Sequence, residues 1–141
     1  MALHYAPHWS LTDDPAAKLG IFCTNAAVRS PIFNILSEVL GTAVLVLVAG
    51  AIGSHGVSAT GPAAGVGPWL VACLVWGIGF SLGGTTGYAI NPARDLGPRI
   101  MHALLPIPGK GESNWSYAPI PVIGGLLGGA LAGVLLRYAH F

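Results

Sequence analysis

The feature that most constrains this chain is a polar segment, residues 87–99, that lies between two long apolar runs. It reads Gly-Tyr-Ala-Ile-Asn-Pro-Ala-Arg-Asp-Leu-Gly-Pro-Arg, with two arginines, one aspartate and two prolines. Unpaired charges are costly within a bilayer, so such residues usually line an aqueous path or pair inside a helix bundle. The segment is therefore predicted to enter the membrane only where protein or an aqueous path surrounds it.

Composition places the chain in the membrane class. Only 8% of its 141 residues are charged, whereas about a quarter are charged in a typical soluble domain. The formal net charge of +1 argues against nucleic-acid binding. Two separated cysteines, Cys23 and Cys73, and five scattered histidines form no metal-ligand pattern and no catalytic triad. We therefore expect no metal, no cofactor and no enzymatic activity.

Three apolar runs are predicted to cross the bilayer as helices, at about 32–53, 67–82 and 120–139. A helix needs roughly 20 apolar residues to cross the hydrocarbon core, and the second run is short. That run is predicted to end before the glycine- and threonine-rich residues 83–87. Residues 1–31, turn-rich and mixed in polarity, are predicted to form an N-terminal segment of the extracellular-loop type that precedes the membrane unit 32–141.

Within the polar segment, Asn91 and Pro92 predict the start of a short helix at about 92–104. Asn is a favoured N-cap, and Pro is favoured at the first helical position because its missing N–H would have no partner there. Such a helix rises about 20 Å, which is too short to span and fits a re-entrant half-helix. Its positive N-terminal end would disfavour cations in a pore.

The charged groups of this half-helix are predicted to have separate roles. Arg94 keeps its charge and offers five donors, which at a constriction can bind a neutral solute and repel cations. Asp95 stands four residues before Arg99, the acid-then-base spacing that pairs on one helical face. That pair is predicted to hold the loop rather than contact solute.

The motif Asn-Pro-Ala-Arg-Asp at 91–95 resembles the second signature loop of the aquaporin and glycerol-facilitator family, and Asp95 resembles its glycerol branch. The resemblance covers about residues 1–141 and is to the C-terminal half of such a channel. Stretches 5–9, 12–15 and 104–108 resemble glycerol facilitators of lactic-acid-type Gram-positive bacteria. It implies an all-α protein of the plasma membrane, with three transmembrane helices and one re-entrant half-helix, half of an aquaporin-like right-handed bundle.

The resemblance also implies pore residues and supporting residues. They are a pore motif of Asn91, Pro92 and Ala93; a selectivity filter of Gly79, Tyr88 and Arg94; a carbonyl line of Gly87, Tyr88 and Ala89; and loop supports Glu38, Asp95 and Arg99. Gly79 stands where water channels typically carry histidine, which implies a wider bore, and the Tyr88 ring would face the carbons of a polyol. The alternative for Glu38 is a side chain that snorkels to the surface.

The third apolar run carries glycines at a spacing that lets helices approach closely, namely Gly124, Gly125, Gly128, Gly129 and Gly133. Packing within one chain is the favoured interpretation. A contact between copies, as in a tetramer of the family's kind, is the alternative.

The resemblance implies passive diffusion of glycerol or a similar small neutral polyol, and possible passage of water, across the lipid bilayer. The family's pore needs two inverted halves, and this chain resembles one of them. Three interpretations therefore stay open: a half-channel that acts with a separate N-terminal half, an antiparallel homodimer, and a non-conducting fragment.

The distribution of basic residues bears on how the two halves would assemble. In the family's orientation the outer face would carry most of the basic residues, namely Lys18, Arg29, Arg94, Arg99 and Lys110. Only Arg137 would lie inside, which is the reverse of the positive-inside rule. Either the missing half sets the topology, or two copies insert in opposite directions.

Overall fold

The computed structural model describes residues 2–56 and 59–139, and this part of the chain contains helices and no strand. The helices, in chain order, are α1 (Ala6–Trp9), α2 (Pro15–Gly20), α3 (Pro31–Gly53), α4 (Val66–Thr86), α5 (Pro92–Leu104) and α6 (Pro119–Ala139). Helices α3, α4 and α6 are long and apolar enough to cross a membrane. The prediction of an all-α chain with three membrane-crossing helices is confirmed. The predicted segments 1–31 and 32–141 reach beyond the described residues. The parts that lie outside are residue 1, residues 57–58 and residues 140–141.

Helix α4 is longer than the apolar run predicted. The run was expected to end near residue 82, but the helix continues through Thr86 and stops at Gly87. Gly87 has a left-handed backbone (φ +76°), and its N–H donates to the carbonyl of Gly83. The extra turn is stabilised by a tertiary contact, because the Thr86 hydroxyl donates to the buried Glu38 carboxylate. Glycine content alone therefore placed this helix end too early.

The α5 helix begins where its local sequence directs. The side-chain oxygen of Asn91 accepts a hydrogen bond from the Ala93 N–H at 2.9 Å, and Pro92 occupies the first helical position. The helix has 13 residues and packs against α6. This length is too short to cross the hydrocarbon core.

The glycines of α6 divide into two groups. A Cβ atom at Gly124 would lie 2.4 Å from Glu38 Cβ, and one at Gly128 would lie 2.5 Å from the Val39 carbonyl oxygen. Gly125 approaches Pro92 in the same way, at 2.9 Å. These three glycines therefore bring the backbone of α6 against α3 and the start of α5.

The other two glycines of the stripe do not make this contact. A Cβ added at Gly129 or Gly133 would meet no described atom within 4 Å. Packing within the chain therefore accounts for part of the stripe only. The alternative of a contact between copies applies to these two positions alone.

Replacing Gly128 with alanine should lower the free energy of unfolding by about 1–3 kcal/mol, the usual cost of overpacking. The new methyl would collide with the α3 backbone, so the two helices must separate. Gly129→Ala is the matched control, since it adds the same group to the same helix in open space. Unfolding titrations in mixed detergent micelles would compare them, and equal losses would contradict this packing.

The N-terminal segment folds onto the C-terminal end of α5. Lys18 is buried, and its ammonium donates to the Pro108 carbonyl at 2.6 Å, which ties α2 to the loop that follows α5. An apolar cluster completes the contact, formed by Trp9, Phe22 and Ile107. The segment before α3 is therefore attached to α5 and to the loop that follows it.

Candidate functional site

Glu38 organises the loop between α4 and α5, which we call the pore loop (residues 87–91). Its carboxylate is fully buried and accepts three hydrogen bonds. Oε1 accepts from the Thr86 hydroxyl at 2.6 Å and from the Ala89 N–H at 3.1 Å, while Oε2 accepts from the Ile90 N–H at 2.7 Å. A buried carboxylate needs such partners, because leaving it unpaired is costly. Glu38 is therefore not a snorkelling surface side chain.

The backbone of the pore loop is unusual at three positions. Gly87, Tyr88 and Ile90 have φ values of +76°, +40° and +45°. Left-handed backbone is uncommon for non-glycine residues and is a marked outlier for β-branched ones such as isoleucine. Such conformations persist only where surrounding structure over-determines them. Here the Glu38 carboxylate does so, because it binds the N–H groups of both residues that follow Tyr88.

Arg94 lies against the same backbone. Its Nη1 donates to the Tyr88 carbonyl, and to the Ala89 carbonyl at 3.3 Å. Its guanidinium carbon also lies 4.6 Å from the centre of the Tyr88 ring, within the range of a cation–π contact. Tyr88 and Arg94, two of the predicted filter residues, are therefore in direct contact. Arg94 thereby binds two of the three carbonyls of the predicted carbonyl line.

Gly79, the third predicted filter residue, packs against the Tyr88 ring. A Cβ at Gly79 would lie 3.0 Å from the ring carbon Cζ, and one at Gly83 would lie 2.7 Å from Cδ1. The space beside Gly79 is therefore occupied by the Tyr88 ring. The sequence analysis did not identify Gly83 as a neighbour of Tyr88. The available signal was its spacing of four residues from Gly79, which places both glycines on one face of α4.

The predicted pore motif lies at the open side of the pore loop. Asn91 and Ala93 are exposed, as is Arg94, while Pro92 packs on Gly125. The Asn91 side-chain oxygen is occupied by the helix cap. The α5 N-terminus therefore presents one exposed face that the described part of the chain does not cover.

Asp95 and Arg99 form a buried ion pair, with Nε of Arg99 2.8 Å from Oδ2 of Asp95 and both side chains fully buried. Arg99 also donates to the carbonyls of Thr24, Ser113 and Asn114. The pair joins α5 to the N-terminal segment and to the loop before α6. Thr24 was missed by sequence reasoning, and no local pattern marks it.

Cys23 adjoins this site, because it precedes Thr24 in the chain. Burial raises the pKa of the Cys23 thiol to about 11, so it stays protonated at neutral pH. Among residues 2–56 and 59–139, no three His, Cys, Asp or Glu side chains are grouped to hold a metal ion.

Comparison with known proteins assigns this arrangement to a family. The model of the family described as "Major intrinsic protein" matches residues 10–136, which include α3, α4, the pore loop, α5 and most of α6. The chain belongs to the major intrinsic protein family. With three membrane-crossing helices, it is a multi-pass integral membrane protein, as the sequence predicted.

Individual relatives within this family are glycerol facilitators. The chain is 58% identical over 137 residues to the glycerol uptake facilitator protein of Bacillus subtilis, covering 97% of this chain and 48% of the relative. It is 54% identical to the probable glycerol uptake facilitator protein of Thermotoga maritima, covering 96% and 56%. For glycerol uptake facilitator protein 3 of Lactiplantibacillus plantarum the identity is 53%, covering 96% and 54%.

These comparisons confirm the predicted likeness to glycerol facilitators of Gram-positive bacteria. The chain spans about half the length of the curated relatives it matches.

Proposed function

We propose that this major intrinsic protein is the C-terminal half of a channel for passive transmembrane diffusion of glycerol and similar small neutral solutes. The observation that carries the proposal is the contact between Tyr88 and Arg94 on an exposed face of a tightly held pore loop. A polyol has hydroxyls that need donors and acceptors, and carbons that favour an apolar surface. Arg94 offers donors, the loop carbonyls offer acceptors, and the Tyr88 ring offers the apolar surface.

The physical reason for such a site is the cost of dehydrating a solute. A hydroxyl that leaves water loses hydrogen bonds, and the loss is small only if the channel replaces them. Each carbonyl oxygen has two lone pairs, so those that accept from Arg94 can still accept from a solute. The fixed positive charge and the α5 N-terminus would oppose cations. Such passage makes and breaks no covalent bond, so we propose no catalysis and no cofactor.

The missing wall of the pore would come from a second half. The relatives are about twice as long, and the α5 N-terminus is exposed in this chain. Inverted halves that meet at the midplane are a recurrent transporter design. An antiparallel pair of copies is the second arrangement that would close the pore, and a non-conducting fragment is the outcome if neither forms. Tetramer formation and localisation to the plasma membrane extend the same proposal.

Stopped-flow permeability measurements test this proposal directly. Liposomes would hold the purified chain alone, or with the part of the Bacillus subtilis relative that the chain does not match. Glycerol flux only in the presence of both parts is the expected result. Glycerol flux from the chain alone would favour a pore assembled from copies of this chain. No flux in either preparation would contradict the proposal and favour a non-conducting fragment.

Replacing Gly79 with histidine should lower glycerol permeability by about tenfold more than water permeability, which corresponds to roughly 1.4 kcal/mol on a barrier. The new side chain must displace the Tyr88 ring, because even a Cβ there would lie 3.0 Å from it. Gly77→His is the matched control on the same helix, where a Cβ meets no described atom within 4 Å. Equal effects on both solutes would contradict the filter assignment.

A further inference from the structure

Thr24, in the segment that precedes α3, binds the buried ion pair of α5 through three hydrogen bonds. Its N–H and hydroxyl both donate to Oδ1 of Asp95, at 2.8 Å and 2.7 Å. Its carbonyl accepts from Nη2 of Arg99 at 2.8 Å. Two of the four hydrogen bonds that reach the Asp95 carboxylate therefore come from Thr24, and the other two come from Arg99.

Thr24 also contacts Gly87, the first residue of the pore loop. A Cβ at Gly87 would lie 3.3 Å from Thr24 Cβ and 3.4 Å from its methyl carbon, so the two residues are in close contact. Three residues further on, the Ala27 N–H donates to the Thr85 carbonyl at 3.0 Å. Residues 24–27 thus hold the last turn of α4 and the first turn of α5 at a set separation.

Thr24 also lies beside the approach to Arg94. Residues 20–25, Gly87, Arg94 and Pro98 line a cavity of about 480 Å³. A solute that reaches the guanidinium from this cavity would pass the Thr24 side chain. Because Asp95 adjoins Arg94 in sequence, any shift of Asp95 would also move the arginine relative to the Tyr88 carbonyl.

We infer that Thr24 is a positioning residue, whose hydroxyl holds the first turn of α5 so that Arg94 stays seated on the pore-loop carbonyls. This inference rests on the proposed channel function. Removing the hydroxyl leaves a fully buried carboxylate with one donor fewer, and the carboxylate can regain donors only by moving. The structure therefore assigns to the N-terminal segment a part in selectivity, besides its packing on α5.

The test compares Thr24→Val, which keeps the shape and removes the hydroxyl, with Thr24→Ser, which keeps the hydroxyl. In liposomes holding both channel parts, the ratio of glycerol to water permeability should fall about threefold or more in Thr24→Val, because a displaced Arg94 replaces fewer of the hydrogen bonds that glycerol loses on leaving water. A threefold change corresponds to about 0.65 kcal/mol on a barrier. Thr24→Ser should retain the ratio, as should Thr60→Val, an exposed control. A ratio is used because it does not depend on the amount of folded protein.

The outcomes separate the inference from a purely structural role. Equal losses of both permeabilities in Thr24→Val, with the ratio unchanged, would overturn it, and so would equal falls in the ratio for Val and Ser. If Thr24→Val does not fold, Thr24→Cys, with its weaker donor, replaces it.

A second readout needs no flux. The amides of Ala93 and Arg94 bond to Asn91 rather than to Thr24. Their hydrogen exchange in micelles should be faster in Thr24→Val than in Thr24→Ser and the unmodified chain. If no assembly conducts, the proposed channel function fails, and this exchange alone decides the role of Thr24. Equal exchange rates would overturn it.

Discussion

Replacing Arg99 with methionine should destabilise the fold by about 3–5 kcal/mol, the typical cost of breaking a buried ion pair from one side. Asp95 would keep only the two hydrogen bonds from Thr24, and its charge would have no compensating cation in a fully buried place. The carbonyls that now accept from Arg99 would also lose a donor. We therefore expect the C-terminal part of α5 to detach from the N-terminal segment.

The free energy of unfolding in mixed micelles checks this expectation. Arg137→Met is the matched control, because it removes an exposed cation from α6 by the same substitution. A second variant, Asp95→Leu with Arg99→Met, should recover part of the loss, since it removes the uncompensated charge. Similar stabilities for Arg99→Met and Arg137→Met would contradict the importance of the buried pair.

Replacing Glu38 with glutamine should cost about 2–4 kcal/mol, because hydrogen bonds to a charged acceptor contribute roughly 1.5–3 kcal/mol each. The shape is nearly unchanged, but one oxygen becomes an NH₂ group. If the NH₂ replaces Oε2 it faces the Ile90 N–H, and if it replaces Oε1 it faces the Ala89 N–H. In either orientation a donor meets a donor, and the left-handed backbone of the pore loop loses support.

Hydrogen exchange at the Ala89 and Ile90 amides reports this change most directly, together with the free energy of unfolding. Both amides should exchange faster in Glu38→Gln. Glu112→Gln is the control, because Glu112 is exposed in the loop between α5 and α6. Unchanged exchange at both amides would show that something other than Glu38 holds the loop.

The sequence alone determined the membrane class, the three long helices and the start of α5. These features depend on local chemistry: apolar length decides which runs can cross a bilayer, and Asn at the N-cap followed by Pro at the first helical position favours the start of a helix. The Asp95–Arg99 contact is of the same kind, because an i,i+4 spacing within one helix brings the two side chains to one face.

Only the tertiary structure decided the end of α4, the packing of Tyr88 and the role of Thr24. The extra turn of α4 depends on Glu38, which is 48 residues away from Thr86. The bond from the Thr24 hydroxyl to Asp95 joins residues 71 apart. Neither contact leaves a periodic or capping signal in the chain.

The division of the α6 glycines has the same cause. All five have the spacing for close packing, yet Gly124 and Gly128 meet α3 while Gly129 and Gly133 face open space. Spacing decides which residues share a helix face, but the neighbouring helix decides which part of that face is covered. Local sequence therefore specifies the helices of this membrane protein, and contacts between distant residues specify how its pore loop is held.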